Sequence, residues 1–276
     1  MLNEKVYFGE DKKVCLEAWC QVKERDYCPP RRKAILIFPG GGYGFCSQRE
    51  ADPVAREFFA REYNVFILYY SCADSITNEN GYPKPLLEAS YAMNFIRENA
   101  EKYNIIEDKI AVIGFSAGGH LAGCLAAMWH YDFISEQAKI KKGTNKPCAA
   151  VLCYPVITLN PEYTHAGTAE NLLSGSKSKD EDRKFYSLEN QVSDKTCPCF
   201  IWHTADDGGV PVQNSFLFAN ALSEKGIPFE LHVFPEGVHG SSVATPDVFE
   251  SQNPKFLSHI HHWVDEAARF LEYYLQ

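Results

Sequence analysis

The chain has 276 residues, 45% of them hydrophobic and 23% charged, and a formal net charge of −9. That balance is globular, and the length lets an α/β domain bury a substantial core. The acidic excess carries no electrostatic footprint for phosphate backbones or anionic lipid, so neither nucleic acid nor a membrane is an expected partner.

In chain order, residues 1–14 are charged and lack the apolar core of a secretory leader, and no apolar run approaches the roughly 20 residues of a membrane span. Residues 14–22 alternate enough for an antiparallel edge or hairpin strand. The runs 33–40, 64–71, 109–116, 148–155, 198–204 and 229–235 are mostly apolar on both faces, as parallel strands covered by helices should be. Helical patterns fall between them, at about 50–62, at 85–103 (Leu87, Tyr91 and Phe95 four apart), at 117–128 and at 212–224. A last apolar stripe runs through Val264, Ala267, Ala268, Leu271 and Leu275. The alternation predicts one α/β domain over 1–276, a mostly parallel sheet with helices on both faces. Residues 156–196, rich in charge and small polar groups, are too long for an ordinary connection. They are expected to form a small insertion above the sheet with one or two short helices, either lining a substrate site or lying on the surface.

The ten cysteines scatter through apolar runs such as 148–155. They are read as reduced thiols packed as small hydrophobes, which together with the missing leader gives a cytoplasmic expectation. Their spacing matches neither a redox pair nor a zinc set, and no metal is expected.

Gly114-Phe115-Ser116-Ala117-Gly118 lies where an apolar strand meets a predicted helix. That is the setting of a nucleophile elbow, in which side chains two residues before and after the serine would collide. A serine hydroxyl is a weak nucleophile on its own and needs a base, an orienting carboxylate and donors for the developing oxyanion. The run Pro39-Gly40-Gly41-Gly42-Tyr43 follows the strand at 33–38, and Gly41 and Gly42 are the candidate donors. The Ala117 amide, at the start of the helix, is the third. Asp207 and His239 follow the strands 198–204 and 229–235 in the order acid then base. Asp206 is a competitor for the acid. Of the other histidines, His120 sits in the helix after the elbow and is assigned to packing, and His203 and His232 to core hydrogen bonding. His130 and His165 lack a strand-end setting. His259, His261 and His262 are assigned to an exposed helix start.

These pieces together resemble an α/β-hydrolase, more narrowly the acetyl-esterase and acetyl-xylan-esterase-like branch related to the hormone-sensitive-lipase group. The matching stretches are 38–44, 114–122, 203–215 and 234–240. The resemblance selects Asp207 over Asp206, since the family's acid stands four residues after a strand-end histidine and three before Val-Pro. It also makes Tyr43 a substrate-binding candidate and Ser47–Glu50 a pocket-shaping segment, although Arg49 and Glu50 equally suit an ion pair at a helix start. Pro39 replaces the histidine that lipase-type relatives carry before the three glycines, and a large N-terminal cap is not evident; both favour small polar acyl substrates over lipids. The resemblance implies a serine esterase acting without a cofactor on short acyl esters, acetyl first, borne on sugars such as imported xylo-oligosaccharides. A feruloyl or general carboxylesterase, an arylformamidase and an oligopeptidase-like hydrolase use the same residues. A non-catalytic binding protein on the same scaffold is the alternative outside enzymes.

Overall fold

The computed structural model describes residues 1–9, 13–72, 83–249 and 254–276. Eight strands form one sheet: β1 (Leu2–Phe8), β2 (Val14–Cys20), β3 (Arg32–Phe38), β4 (Asn64–Tyr69), β5 (Ile105–Phe115), β6 (Ala150–Cys153), β7 (Cys199–Thr204) and β8 (Phe229–Phe234), in the order β1-β2-β4-β3-β5-β6-β7-β8. From β4 to β8 every neighbouring pair is parallel, while β2 runs antiparallel to both β1 and β4. The strand at 14–20 is therefore one arm of a hairpin and not an edge. The edge on this side of the sheet is β1, where Leu2, Val6 and Phe8 lie half-buried against one core and alternate with exposed neighbours.

Nine helices are described: α1 (Asp52–Ala60), α2 (Lys84–Glu98), α3 (Ala117–Met128), α4 (Asp132–Ala138), α5 (Ala166–Leu172), α6 (Lys179–Phe185), α7 (Gln213–Glu224), α8 (Pro254–His261) and α9 (Trp263–Tyr274). The central strands bury both faces. Leu36 and Phe38 of β3 join one core with α2, α3 and α7, while Ile35 and Ile37 join a second core with α1, α8 and α9. Period-two alternation between two apolar layers is what makes these strands read as continuous apolar runs. The chain leaves β3 through α1 on one face and β4 through α2 on the other, so winding reverses beside β3 and β5. The crevice beyond the carboxyl ends of those two strands is where a doubly wound sheet places its ligand.

Residues 156–196 carry α5, α6 and a 3₁₀ turn at Leu188–Asn190. Asn214 of α7, fully buried, pins the start of this insertion: its Oδ1 accepts the Ile157 and Thr158 amides at 2.8 and 3.0 Å, and its Nδ2 donates to the Tyr163 carbonyl at 2.8 Å. Leu188 covers Gly123 so closely that a Cβ there would lie 2.6 Å from the leucine methyl. The insertion is thus packed onto the helices above the sheet. None of the helices in the described residues is long and apolar enough to cross a membrane.

Candidate active site

Ser116 stands between β5 and α3 with φ 54° and ψ −117°, a left-handed backbone rarely adopted by a residue with a Cβ. Its neighbours explain how the turn is held. A Cβ at Gly114 would lie 2.1 Å from the Gly118 carbonyl oxygen, and one at Gly118 would lie 2.1 Å from that of Phe38. The Ser116 amide donates to Cys153 O, and its carbonyl accepts from the His120 and Val156 amides. Backbone contact this close requires glycine at both positions and fixes the hydroxyl at the strand end.

His239 reaches the serine from the loop after β8, with Nε2 2.8 Å from Ser116 Oγ. Its Nδ1 lies 2.7 Å from Asp207 Oδ2, at the end of β7. Because an ionised carboxylate only accepts, Nδ1 carries the proton and Nε2 accepts from the serine hydroxyl. The other oxygen, Asp207 Oδ1, accepts the Gly209 and Val210 amides at 2.8 Å each. Burial alone would raise the Asp207 carboxyl, but hydrogen bonds from His203 and His239 and the Val210 amide outweigh it and hold it well below the usual carboxylate range. Asp206 points elsewhere, accepting the Gly237 amide at 2.8 Å. Gly209 lets the loop close on the imidazole, since a Cβ there would lie 2.9 Å from His239 Cγ.

The glycine turn is tied down on its carbonyl side. Pro39 O accepts the Tyr70 hydroxyl, Gly40 O the Ser47 amide, Gly41 O the Gly44 and Phe45 amides, and Gly42 O the Asn171 side chain at 2.9 Å. Gly41 and Gly42 have φ of 126° and 63° and line the cleft beside Ser116. Among the described residues no protein acceptor occupies the amides of Gly41, Gly42 or Ala117. Glu50, buried behind them, accepts the Gly40 amide at 2.7 Å and the Tyr154 hydroxyl at 2.8 Å; burial pushes its carboxyl above the ordinary value against those two bonds. Tyr154 accepts in turn from the Ser242 amide and sets its ring edge-on to His239, 5.1 Å between centroids. Glu50 thereby links the glycine turn to the histidine loop. Among the described residues Arg49 and Glu50 form no ion pair with each other; the Arg49 guanidinium stacks on Phe249 at 4.8 Å.

Tyr43 departs from expectation. It is fully buried, does not line the cleft, and gives its hydroxyl to His120 Nδ1 at 3.0 Å. Apolar packing against Tyr70 and the core draws the ring inward, away from any substrate. His120, also fully buried, donates through Nε2 to the Tyr186 carbonyl at 2.8 Å, and burial pushes it down to about 4 despite that bond. It is a neutral tether between the glycine turn, α3 and the insertion. His203 is buried with Nδ1 on Ser215 Oγ and Nε2 on Val210 O. His232 differs from its assignment to the core: on the edge strand β8 it is half-buried and stacks on Phe200. His259 and His262 are exposed, and His261 bonds Val243 O. Among the described residues no three His, Cys, Asp or Glu side chains gather as a metal set.

The cleft encloses about 360 Å³ and is lined by the glycine turn, Ser116, His239, Arg49 and, from the insertion, His165 and Asn171. Sequence pattern does not single out the last two, because they reach the cleft only through the docking of α5.

Comparison with known proteins agrees with this architecture. Residues 27–222 match the BD-FAE family. The chain is 44% identical over 220 residues to endo-1,4-beta-xylanase B of Butyrivibrio fibrisolvens, a match covering 79% of this chain and 34% of that protein. It is 27% identical over 220 residues to the acetylxylan esterase of Xylanibacter ruminicola, covering 78% and 42%. The chain therefore spans well under half the length of either relative. An acetyl ester-xyloside bifunctional hydrolase from Caldicellulosiruptor lactoaceticus superposes with a TM-score of 0.76 at 34% identity, covering 94% of this chain and 87% of that one. With the eight-stranded sheet and the family match together, this chain belongs to the BD-FAE family of α/β-hydrolase esterases.

Proposed function

We propose that the protein is a serine esterase that removes short acyl groups, acetyl foremost, from the hydroxyls of xylo-oligosaccharides or related sugars. The observation that carries this is the continuous hydrogen-bonded line from Ser116 Oγ through His239 to Asp207, opening on a cleft edged by backbone amides that have no protein acceptor among the described residues. In the proposed reaction Ser116 attacks the ester carbonyl while His239 Nε2 takes its proton. Asp207 keeps the imidazole in the Nδ1–H tautomer and stabilises its charged form. The amides of Gly41, Gly42 and Ala117 receive the oxyanion. The imidazolium then protonates the leaving alcohol, and water, activated by the same base, releases the acid from the acyl-enzyme.

The sugar-ester assignment draws on the acetylxylan esterase and the acetyl ester-xyloside hydrolase among the relatives, and on polar cleft walls contributed by Arg49, His165 and Asn171. The proposal takes 1–276 as one hydrolase unit with 156–196 as its insertion. It acts without a cofactor on a small diffusible ester in the reducing cytoplasm, where the ten cysteines stay reduced. A panel of acetyl, butyryl and feruloyl esters, with acetylated xylosides alongside, tests it. Acetyl esters should give kcat/KM at least about tenfold above the feruloyl ester, a difference of about 1.4 kcal/mol in transition-state binding. Equal or faster turnover of the feruloyl or longer acyl esters overturns the acetyl assignment and favours the feruloyl or general carboxylesterase.

A further inference from the structure

His165 occupies the N-cap of α5, where its Nδ1 accepts the Thr168 amide at 3.1 Å, with Thr168 Oγ1 at 2.8 Å. A ring nitrogen that accepts an N–H bond bears no proton, so the hydrogen of the neutral imidazole sits on Nε2. Burial and the neighbouring His239 push the His165 ring below its ordinary value, against Asp207, which keeps it neutral in that tautomer. Among the described residues Nε2–H has no protein partner, and it is not shut into the core, because His165 lines the cleft. Its place relative to the reacting atoms is held by α5, since Asn171 one helical turn beyond Thr168 donates to Gly42 O. The ring comes within 3.5 Å of where a Cβ on Gly42 would stand. A cleft of about 360 Å³ is far larger than an acetyl group, so most of it must receive the alcohol portion of the ester, and on a sugar that portion is rich in acceptor oxygens.

We propose that His165 is a specificity-determining residue that donates its Nε2–H to an oxygen of the sugar portion of the substrate, selecting polyol esters over esters of plain alcohols or phenols. This rests on the sugar-ester reading above. Two variants separate substrate binding from helix capping. His165→Asn retains a cap acceptor for Thr168 but withdraws the donor from the cleft. His165→Gln gives up the cap geometry but carries an amide N–H to similar reach. Kinetics are compared on an acetylated xyloside and on p-nitrophenyl acetate, whose leaving group has no sugar oxygen. His165→Asn should lower kcat/KM for the xyloside about 5- to 30-fold, mainly through KM, and change the aryl ester less than twofold. His165→Gln should recover much of the xyloside activity. An equal loss on both esters, no loss on the xyloside, or Asn outperforming Gln on the xyloside would each overturn the proposal. If the unaltered protein fails to hydrolyse the acetylated xyloside, the sugar-ester reading itself falls and takes this role with it; an active parent with unselective variants removes His165 alone.

Discussion

Two concavities lie at opposite ends of the sheet. The cleft at the carboxyl ends of β3, β5, β7 and β8 encloses about 360 Å³. A groove at the other end, walled by Arg97, Asp108, Trp129, Lys146, Cys148 and Lys195, is larger at about 640 Å³. The difference lies in where the polar groups are directed. In the groove Arg97 donates to the carbonyls of Thr144, Glu107 and Lys146, the Trp129 indole donates to Lys195 O, and Lys146 covers the Trp129 ring at 5.0 Å. Its conspicuous side chains close loops. In the cleft the carbonyls are tied back while, among the described residues, the amides of Gly41, Gly42 and Ala117 have no protein acceptor, and a strained Ser116 meets an imidazole that is itself held by a carboxylate. Volume does not set the proposed site apart from the groove; backbone strain and donors without a protein acceptor among the described residues do.

The sharpest way to break that contrast is to remove the proposed nucleophile. Ser116→Ala should lower kcat on aryl acetates by about 10⁶-fold, the order seen when a hydrolase loses its serine, while the thermal transition is retained. Asp207→Asn removes the tautomer control and should cost roughly 10⁴-fold in kcat. Because Asp206 is committed to the Gly237 amide, it is not placed to take over. A near-normal rate for either variant would place the chemistry elsewhere in the molecule.

Much of this contrast is legible in the amino-acid sequence. The pattern of apolar runs and intervening helices locates six parallel strands, and three strand ends point to Ser116, Asp207 and His239. What local pattern misses is tertiary. The edge strand β1 mixes Glu4 and Lys5 with Leu2, Val6 and Phe8, so it reads as a charged terminus. The short helix α4, only seven residues long, offers too few positions for a helical period to announce it. Glu50 looks like a partner for Arg49, yet the fold buries its carboxylate beneath the Gly40 amide and the Tyr154 hydroxyl, 104 residues away along the chain. His165 caps, and Asn171 belongs to, a seven-residue helix whose place is set by packing rather than by its own periodicity. Local pattern finds strands and their ends; it does not find which insertion residue folds back over them.

His120 offers a test of the tether between the cleft and the insertion. Its folded-state value is pushed down to about 4, whereas the unfolded side chain titrates near 6.5. Below pH ~6.5 the unfolded chain takes up a proton that the folded protein refuses. The stabilisation from a neutral His120 is therefore complete above that pH and is lost as pH falls towards 4, about 3 kcal/mol across the window. Urea unfolding at pH 7.5 and 4.5 should show that His120→Gln, although less stable at pH 7.5, loses less on acidification than the parent does, by about 2 kcal/mol. An equal loss in both proteins would mean that His120 is not held neutral by burial.

The smallest expected effect lies in the groove. Trp129→Ala removes the indole bond to Lys195 O and the surface beneath Lys146. If those groups only close loops, the variant should lose about 2 kcal/mol of stability, from one hydrogen bond, one cation–π contact and some apolar area, and melt about 4–8 °C lower. Its kcat and KM on acetyl esters, measured well below the transition, should stay within about twofold of the parent, since Trp129 lies at the end of α3 opposite Ser116. A selective rise in KM for oligosaccharide esters, with small esters unaffected, would break the comparison: the groove would then hold substrate at a distance from the reacting serine, and its aromatic and cationic walls would be a binding surface that loop closure happens to share.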